Sequence, residues 1–310
     1  MKLTVGTRGS RLSLIQTESV IRRLRREIPE LEVEVKIIKT TGDRITRRPL
    51  ISIREKGIFE REIDKAVLRG DVDFAVHSMK DVPIIQPPRT VIVAVPERES
   101  AYDVLVSREG LGLKELPGGA VIGTGSPRRI AQLLRVRPDL RVKSIRGNVD
   151  TRVRKLKQGL YDAVILAEVG LQRLGMQDCI TERLSLEDFT PAPGQGALAV
   201  VAREDNEKVI EALRLINHQP SMASVLAERA FIKEIGGGCR VPMGAFAQVQ
   251  NNMLSIYAVV LSPDGRTRIQ TSKKGDPEHP EELGVKAARE ILEKGAASLI
   301  KRWRETYGNR

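Results

Sequence analysis

Ala120-Val121-Ile122-Gly123-Thr124-Gly125-Ser126-Pro127-Arg128-Arg129-Ile130 reads as a strand, a polar turn and the opening of a helix. Residues 120–123 form a short apolar run, as a buried strand needs. Ser126 is an N-cap residue type. Pro127 stands at the first helical position, where its missing N–H has no intrahelical partner to lose. The same pattern continues downstream. Residues 140–145 read as strand, 148–157 as helix with Gly159 beyond its end, 163–167 as strand and 170–174 as helix.

Upstream the alternation is already present. Residues 3–7 read as strand, and Ser10 can cap a helix from Arg11 toward Glu27, stopped by Pro29. Residues 31–40 alternate apolar and polar, 59–68 carry a helical stripe ended by Gly70, and 72–77 read as strand. The β-branched run at 91–95 suits a buried parallel strand. Strands alternating with helices twice over predict two parallel α/β sheets. Pro191-Ala192-Pro193-Gly194 interrupts them as a linker, before a strand at 198–201 and a helix at 207–216. Beyond Pro220 the pattern changes to a long helix over 222–235 and alternating strands over 245–261 around Asn251-Asn252. A turn at Pro263-Asp264-Gly265 and helix over 281–303 complete an α+β tail.

Composition narrows the class. The 310 residues include 52 Lys and Arg against 40 Asp and Glu, a formal net charge of +12. Residues 1–150 hold 29 basic and 20 acidic side chains, so +9 of that excess lies in the first half. Arg outnumbers Lys 35 to 17, and residues 121–154 alone hold eight Arg and one Lys against two Asp. Arg binds carboxylate or phosphate with a planar fork, so an anionic partner is expected. Nucleic acid is disfavoured, because 3% aromatic residues offer few stacking platforms. No apolar run approaches the ~18–20 residues of a membrane span, and the N-terminus shows no secretory apolar stretch. Two cysteines and three scattered histidines give neither a disulfide scaffold nor a local metal motif. A reducing cytosol is the expected compartment.

In open α/β sheets, ligands bind beyond the carboxyl ends of strands, beside helix N-termini. Thr7-Arg8-Gly9-Ser10, His77-Ser78-Met79-Lys80-Asp81, Gly123–Arg129 and Arg146–Arg152 all fall at such junctions. Neither a dinucleotide fingerprint nor a phosphate-cradling Lys-Ser/Thr loop is present. Cations spread over several loops point to a ligand with several separated carboxylates. Cys239, in Gly236-Gly237-Gly238-Cys239-Arg240, combines a permissive backbone with an adjacent cation that favours thiolate, or else it is a small buried hydrophobe. Cys179 lacks that context and reads as structural.

Four motifs in order carry a resemblance. Ala75-Val76-His77-Ser78-Met79-Lys80-Asp81-Val82-Pro83, Arg146-Gly147-Asn148-Val149, Pro191-Ala192-Pro193-Gly194-Gln195-Gly196-Ala197-Leu198 and Gly237-Gly238-Cys239-Arg240-Val241-Pro242 resemble the hydroxymethylbilane synthase (porphobilinogen deaminase) family over essentially the whole chain. The resemblance implies an α/β fold of two periplasmic-binding-protein-like, doubly wound lobes plus a small α+β C-terminal domain. Its expected boundaries are 1–96 with 197–214, 102–190, and 219–310. The implied activity joins four porphobilinogen molecules head to tail with release of ammonia, giving the linear tetrapyrrole hydroxymethylbilane. The implied cofactor is a dipyrromethane held by a thioether to Cys239. A cytoplasmic monomer is expected, with no nucleic acid, membrane or metal, handing its product to a uroporphyrinogen-III synthase.

Each pyrrole brings an acetate and a propionate, which accounts for the arginines. By resemblance, Arg8, Ser10, Lys80, Ser126, Arg128, Arg129, Arg146, Arg152 and Arg173 bind cofactor or substrate carboxylates, with Ser78 in the same set. Lys56 matches a lysine of a loop over the cleft, and Gln16 a glutamine near the active site. Asp81 is the expected catalytic residue, a carboxylate set to stabilise the electron-poor azafulvenium left by deamination. Read without the resemblance, Asp81 is equally a helix cap before Val82-Pro83. Two positions depart from the family. Ser52 stands where a second loop lysine is common, and Glu168 where a small residue is usual, either tuning substrate contacts or facing solvent. A non-enzymatic two-lobed anion binder is the alternative; it needs the arginines but neither Asp81 nor Cys239.

Overall fold

The computed structural model describes residues 1–39, 61–236 and 241–307, without the side chains of residue 61 and residues 304–307. Lys56, Ser52 and Cys239 lie outside the described residues. In chain order the elements are β1 (Lys2–Thr7), α1 (Arg11–Glu27), β2 (Glu32–Ile37), α2 (Arg61–Arg69), β3 (Phe74–Ser78), β4 (Thr90–Ala94) and β5 (Asp103–Ser107). There follow β6 (Val121–Gly123), α3 (Pro127–Val136), β7 (Arg141–Lys143), α4 (Val149–Lys157), β8 (Ala163–Ala167), α5 (Glu168–Arg173), β9 (Glu182–Arg183), β10 (Leu198–Arg203) and α6 (Glu207–Arg214). The last are α7 (Gln219–Ile235), β11 (Met243–Gln250), β12 (Met253–Leu261), β13 (Arg268–Gly275), α8 (Pro280–Ile291) and α9 (Ala297–Tyr307).

The described chain forms two compact units. One holds residues 1–39, 61–99 and 196–222, the other 100–195 and 223–307. The first is built on a five-stranded sheet of order β2-β1-β3-β10-β4. β1 runs parallel to β2 and β3, whereas β10 is antiparallel to both β3 and β4. α1 covers this sheet with Val20, Ile21 and Leu24, which join Leu3, Val5 and Phe74 in one core. Ser10 starts that helix as expected, its Oγ accepting from Ser13 N at 3.2 Å.

The second unit repeats the scheme in the order β7-β6-β8-β5-β9. Again the first three strands are parallel, and the fourth, β5, is antiparallel. β5 and β10 hold equivalent places, and each is the first strand after the chain passes from one unit to the other. The architecture is therefore α/β with two sheet-and-helix lobes, followed by a small α+β domain. The expectation of purely parallel sheets is corrected by this pairing. Residues 91–95 were expected to be a buried parallel strand; β4 is instead an edge strand, with Val91 37% exposed. β-branched runs satisfy edge and centre alike, so the run could not tell them apart.

The small domain is the antiparallel sheet β11-β12-β13 under α7, α8 and α9. Asn251 and Asn252 form its hairpin turn at φ 49° and 56°, the left-handed pair that a two-residue hairpin requires. It packs on the second lobe within the same unit. A Cβ on Gly244 of β11 would lie 2.6 Å from Thr190 O, and one on Gly265 2.3 Å from Ala131 O of α3, so neither position admits a side chain.

Candidate active site

The first lobe gathers one group at the carboxyl ends of β1 and β3. Gln16, buried on α1, donates from Nε2 to Ser78 Oγ at 2.8 Å, which ties the helix to the end of β3. Arg8 is half-buried just after β1, and Ser10 Oγ lies 2.8 Å from Ser13 Oγ. Past Ser78 the chain makes one 3-10 turn, Met79–Asp81, with Lys80 half-buried and Asp81 exposed. Met79 and Val82 are buried on either side, so the turn is pinned while its carboxylate stays outside. Asp81 closes this turn rather than capping it, and its carboxylate makes no hydrogen bond or ion pair with any described residue.

The second lobe gathers the arginines. Ser126 takes the N-cap position of α3, as read from the sequence, yet its side chain makes no capping bond. Arg128 and Arg129 follow and are both buried. Arg128 Nη1 donates to Asp103 Oδ2 at 2.7 Å, to Thr190 O at 2.7 Å and to Gln132 Oε1 at 3.1 Å. Arg129 donates from Nη2 to Asp103 Oδ1 at 2.7 Å and from Nη1 to Ile165 O at 3.0 Å. Burial alone would push the Asp103 carboxyl up, but the two guanidiniums hold it well below the usual range. Burial in turn pulls Arg128 down despite its partner.

Arg152 Nε donates to Gly147 O at 2.8 Å, and Lys155 Nζ to Arg146 O at 2.9 Å, so α4 grips the Arg146-Gly147 turn. Burial, with Arg129 and then Arg146 nearby, holds the Arg152 guanidinium down to about 10. Two nitrogens of this crowd, Arg129 Nε and Arg146 Nη2, are buried with no hydrogen-bond partner. Unpaired buried donors among like charges suit an anion. Carboxylates fit them, being acceptor-only groups that match a guanidinium fork. Arg173 is half-buried at the end of α5.

Below about pH 10 the depressed Arg152 opposes folding, because the unfolded chain holds that proton more readily. Arg152→Gln is therefore expected to raise the unfolding midpoint of the ligand-free protein, by a few degrees for a gain of about 1 kcal/mol. Thermal unfolding checks this, and a lowered midpoint would mean that the bond to Gly147 outweighs the repulsion.

Glu168 neither faces solvent nor stands free for substrate. It is buried, takes Ser100 Oγ on Oε2, and takes Arg183 on Oε1 through Nε at 3.0 Å and Nη2 at 2.6 Å. Arg183 lies over the Tyr102 ring at 4.8 Å. The sequence reading missed Asp103, since β5 itself was not recognised. Gln195, in the Pro191–Leu198 motif, donates from Nε2 to Ala101 O at 2.7 Å and to Asp103 Oδ1 at 2.9 Å.

These features define an α/β protein of two sheet-and-helix lobes that carries cations at its strand-to-helix junctions. The family described as "Porphobilinogen deaminase, dipyromethane cofactor binding domain" matches residues 3–211, and "Porphobilinogen deaminase, C-terminal domain" matches residues 222–293. The porphobilinogen deaminase of Syntrophomonas wolfei is 46% identical over 298 residues, 96% of this chain and 97% of the relative. That of a Geobacillus species (strain WCH70) is 46% identical over 306 residues, 98% of each chain. Among solved structures, the arginine-specific periplasmic binding protein STM4351 of Salmonella typhimurium is similar at a TM-score of 0.40 and 15% identity. That match covers 69% of this chain and 90% of that one. The chain belongs to the porphobilinogen deaminase family.

Proposed function

We propose that the two groups of side chains divide the work of the hydroxymethylbilane synthase reaction. The activity is that of a transferase in tetrapyrrole biosynthesis, with porphobilinogen as substrate and a dipyrromethane as cofactor. The reading is supported above all by the unpaired donors of Arg129 and Arg146 beside Arg152, an excess of buried positive charge. Those three arginines, with Ser126 and the free nitrogens of Arg128, would hold the cofactor's carboxylates. When bound, the dipyrromethane supplies the free pyrrole α-carbon that accepts each incoming unit.

Arg8, Ser10 and Lys80 would take the carboxylates of incoming porphobilinogen, with Arg173 in the same service. Asp81 supplies a carboxylate beside the substrate-binding cations of the first lobe. As the aminomethyl C–N bond of the substrate breaks and ammonia leaves, positive charge develops on the pyrrole, and Asp81 stabilises it there. Asp81 can also accept the proton lost from the α-carbon at which the new C–C bond forms. Lys56 and Cys239 complete the set as a loop lysine and the thioether site.

Incubation with porphobilinogen tests the reading. The expected result is four ammonias per hydroxymethylbilane, and an intact mass that carries a dipyrromethane. A chain that stays unmodified and releases no ammonia supports the non-enzymatic anion binder instead. The boundaries 1–96 with 197–214, 102–190 and 219–310, a monomeric state, a cytoplasmic location and a downstream uroporphyrinogen-III synthase belong to the same proposal. No helix among the described residues is long and apolar enough to cross a membrane.

The division of work predicts two kinds of defect. Leaving one partner of a buried charged contact unpaired costs about 2–5 kcal/mol. Arg129→Leu is therefore expected to slow cofactor assembly, so that the protein is isolated largely without it. Arg8→Leu is expected to carry cofactor but to stall early in elongation, with adducts that accumulate in steps of one pyrrole by mass. Cofactor-free Arg8→Leu beside fully loaded Arg129→Leu would reverse the assignment of the lobes.

A further inference from the structure

Asp103 opens β5 and is completely buried, yet the chemistry above makes no use of it. Its two oxygens take three donors: Arg128 Nη1, Arg129 Nη2 and Gln195 Nε2, at 2.7, 2.7 and 2.9 Å. A lone buried carboxylate is costly, and it persists only where its partners are fixed. Here they are fixed twice over. Arg128 Nη1 also reaches Thr190 O and Gln132 Oε1, and Gln132 Nε2 reaches the same Thr190 O at 3.0 Å. Gln195 reaches the Ala101 carbonyl, so the Pro191–Gly196 motif closes the cage around Asp103.

Arg129 is the member of this cage whose remaining donor is unmet. Its Nη2 is held by Asp103 and its Nη1 by Ile165 O, both at the strand layer, while its buried Nε bonds nothing. Without Asp103 the guanidinium would lose its one fixed anionic partner. It would then be free to turn, in a crowd where Arg152 repels it.

We propose that Asp103 is a positioning residue for cofactor assembly: by clamping Arg129 through Nη2, it holds the Arg129 Nε for a carboxylate of the dipyrromethane. This rests on the proposed function. Arg128 and Gln195 brace the clamp from the other side, which gives the glutamine of that motif a task. Asp103 itself touches neither substrate nor cofactor. The Arg128 and Arg129 guanidiniums keep it ionised far below neutral pH, so the effect of its loss should not vary across the working pH range.

The test is the rate at which cofactor-free protein gains its adduct from porphobilinogen, followed by intact mass. The parent, Asp103→Asn, Arg129→Leu and the double variant are compared at pH 6.5–8.5, about neutral, where porphobilinogen carboxylates are ionised. Asp103→Asn is expected to load about 10–100-fold more slowly, as when a supporting partner is lost from a binding side chain. The double variant is expected to load no more slowly than Arg129→Leu alone, because Asp103 acts through Arg129. Parental loading by Asp103→Asn overturns the proposal, and so does a double variant slowed by the product of the two single effects. If Asp103→Asn does not fold, Asp103→Glu keeps the charge and displaces the clamp. It is then expected to fold and load slowly, and parental loading again overturns the proposal. A parent that never gains an adduct refutes the proposed function instead.

Discussion

Cys239→Ala is expected to fold, to carry no covalent dipyrromethane and to lose turnover. The residues that flank its segment are anchored without it. Ile235 at the end of α7, and Val241 and Met243 at the start of β11, are buried in the core of the small domain. Glu228, fully buried on α7, accepts from Gly194 N at 2.6 Å and from Ala247 N at 2.7 Å, tying helix, motif and β11 together. Gly244 leaves no gap against Thr190. These contacts lie among described residues and remain in the variant, so the melting midpoint should stay within a few degrees of cofactor-free parent, a change below about 1 kcal/mol. Without the thiolate there is no nucleophile on which the primer can be built. Peptide mapping of the parent locates the adduct. Cys179, the other cysteine, is half-buried and packs against the core of the second lobe. An adduct found there would overturn the assignment of Cys239.

Much of this arrangement was legible in the sequence, for reasons that differ by element. Ser10 and Ser126-Pro127 placed two helix starts to the residue, because capping chemistry is local. Asn251-Asn252 placed the hairpin of the small domain for the same reason. Strand direction was not legible. β5 and β10 are each antiparallel to their neighbours and each is the first strand after the chain passes between units, and no residue pattern records that route. β13 was missed because one face is exposed and polar, with Lys273 and Lys274 in its run, so the apolar signal is thin.

The candidate site divides in the same way. That cations gather at the loops of Arg129, Arg146 and Arg152 was legible from composition and loop position. That Arg128 also braces the interior, through Asp103 and Thr190, was not. In the sequence all the arginines look alike, but the neighbour that turns Arg128 inward lies on a strand 25 residues away. Glu168 failed for a similar reason: its partners Ser100 and Arg183 come from segments 68 and 15 residues distant. Long-range pairing of charged groups decides which of them are structural, and a single sequence does not display it.

Asp81→Asn is expected to keep its cofactor and turn over about two to three orders of magnitude more slowly, the usual loss for one well-placed electrostatic contact. The substitution separates charge from shape. Asparagine preserves size and much of the hydrogen-bonding capacity, so the 3-10 turn between buried Met79 and Val82 should persist. Stability should change little, because the parent carboxylate has no described partner to lose. What disappears is the negative charge beside a pyrrole that becomes cationic as ammonia leaves. On the proposed reading, Arg8 and Lys80 of the first lobe bind carboxylates but oppose that developing charge, and Asp81 would make deamination compatible with anion binding. The loss should therefore fall on kcat, with KM for porphobilinogen changed far less, since on the proposed reading the cations would hold the ground-state substrate. Single-turnover ammonia release on loaded protein measures the step directly. Turnover within about threefold of the parent, less than 1 kcal/mol in the barrier, would show that Asp81 merely closes the turn on which it sits.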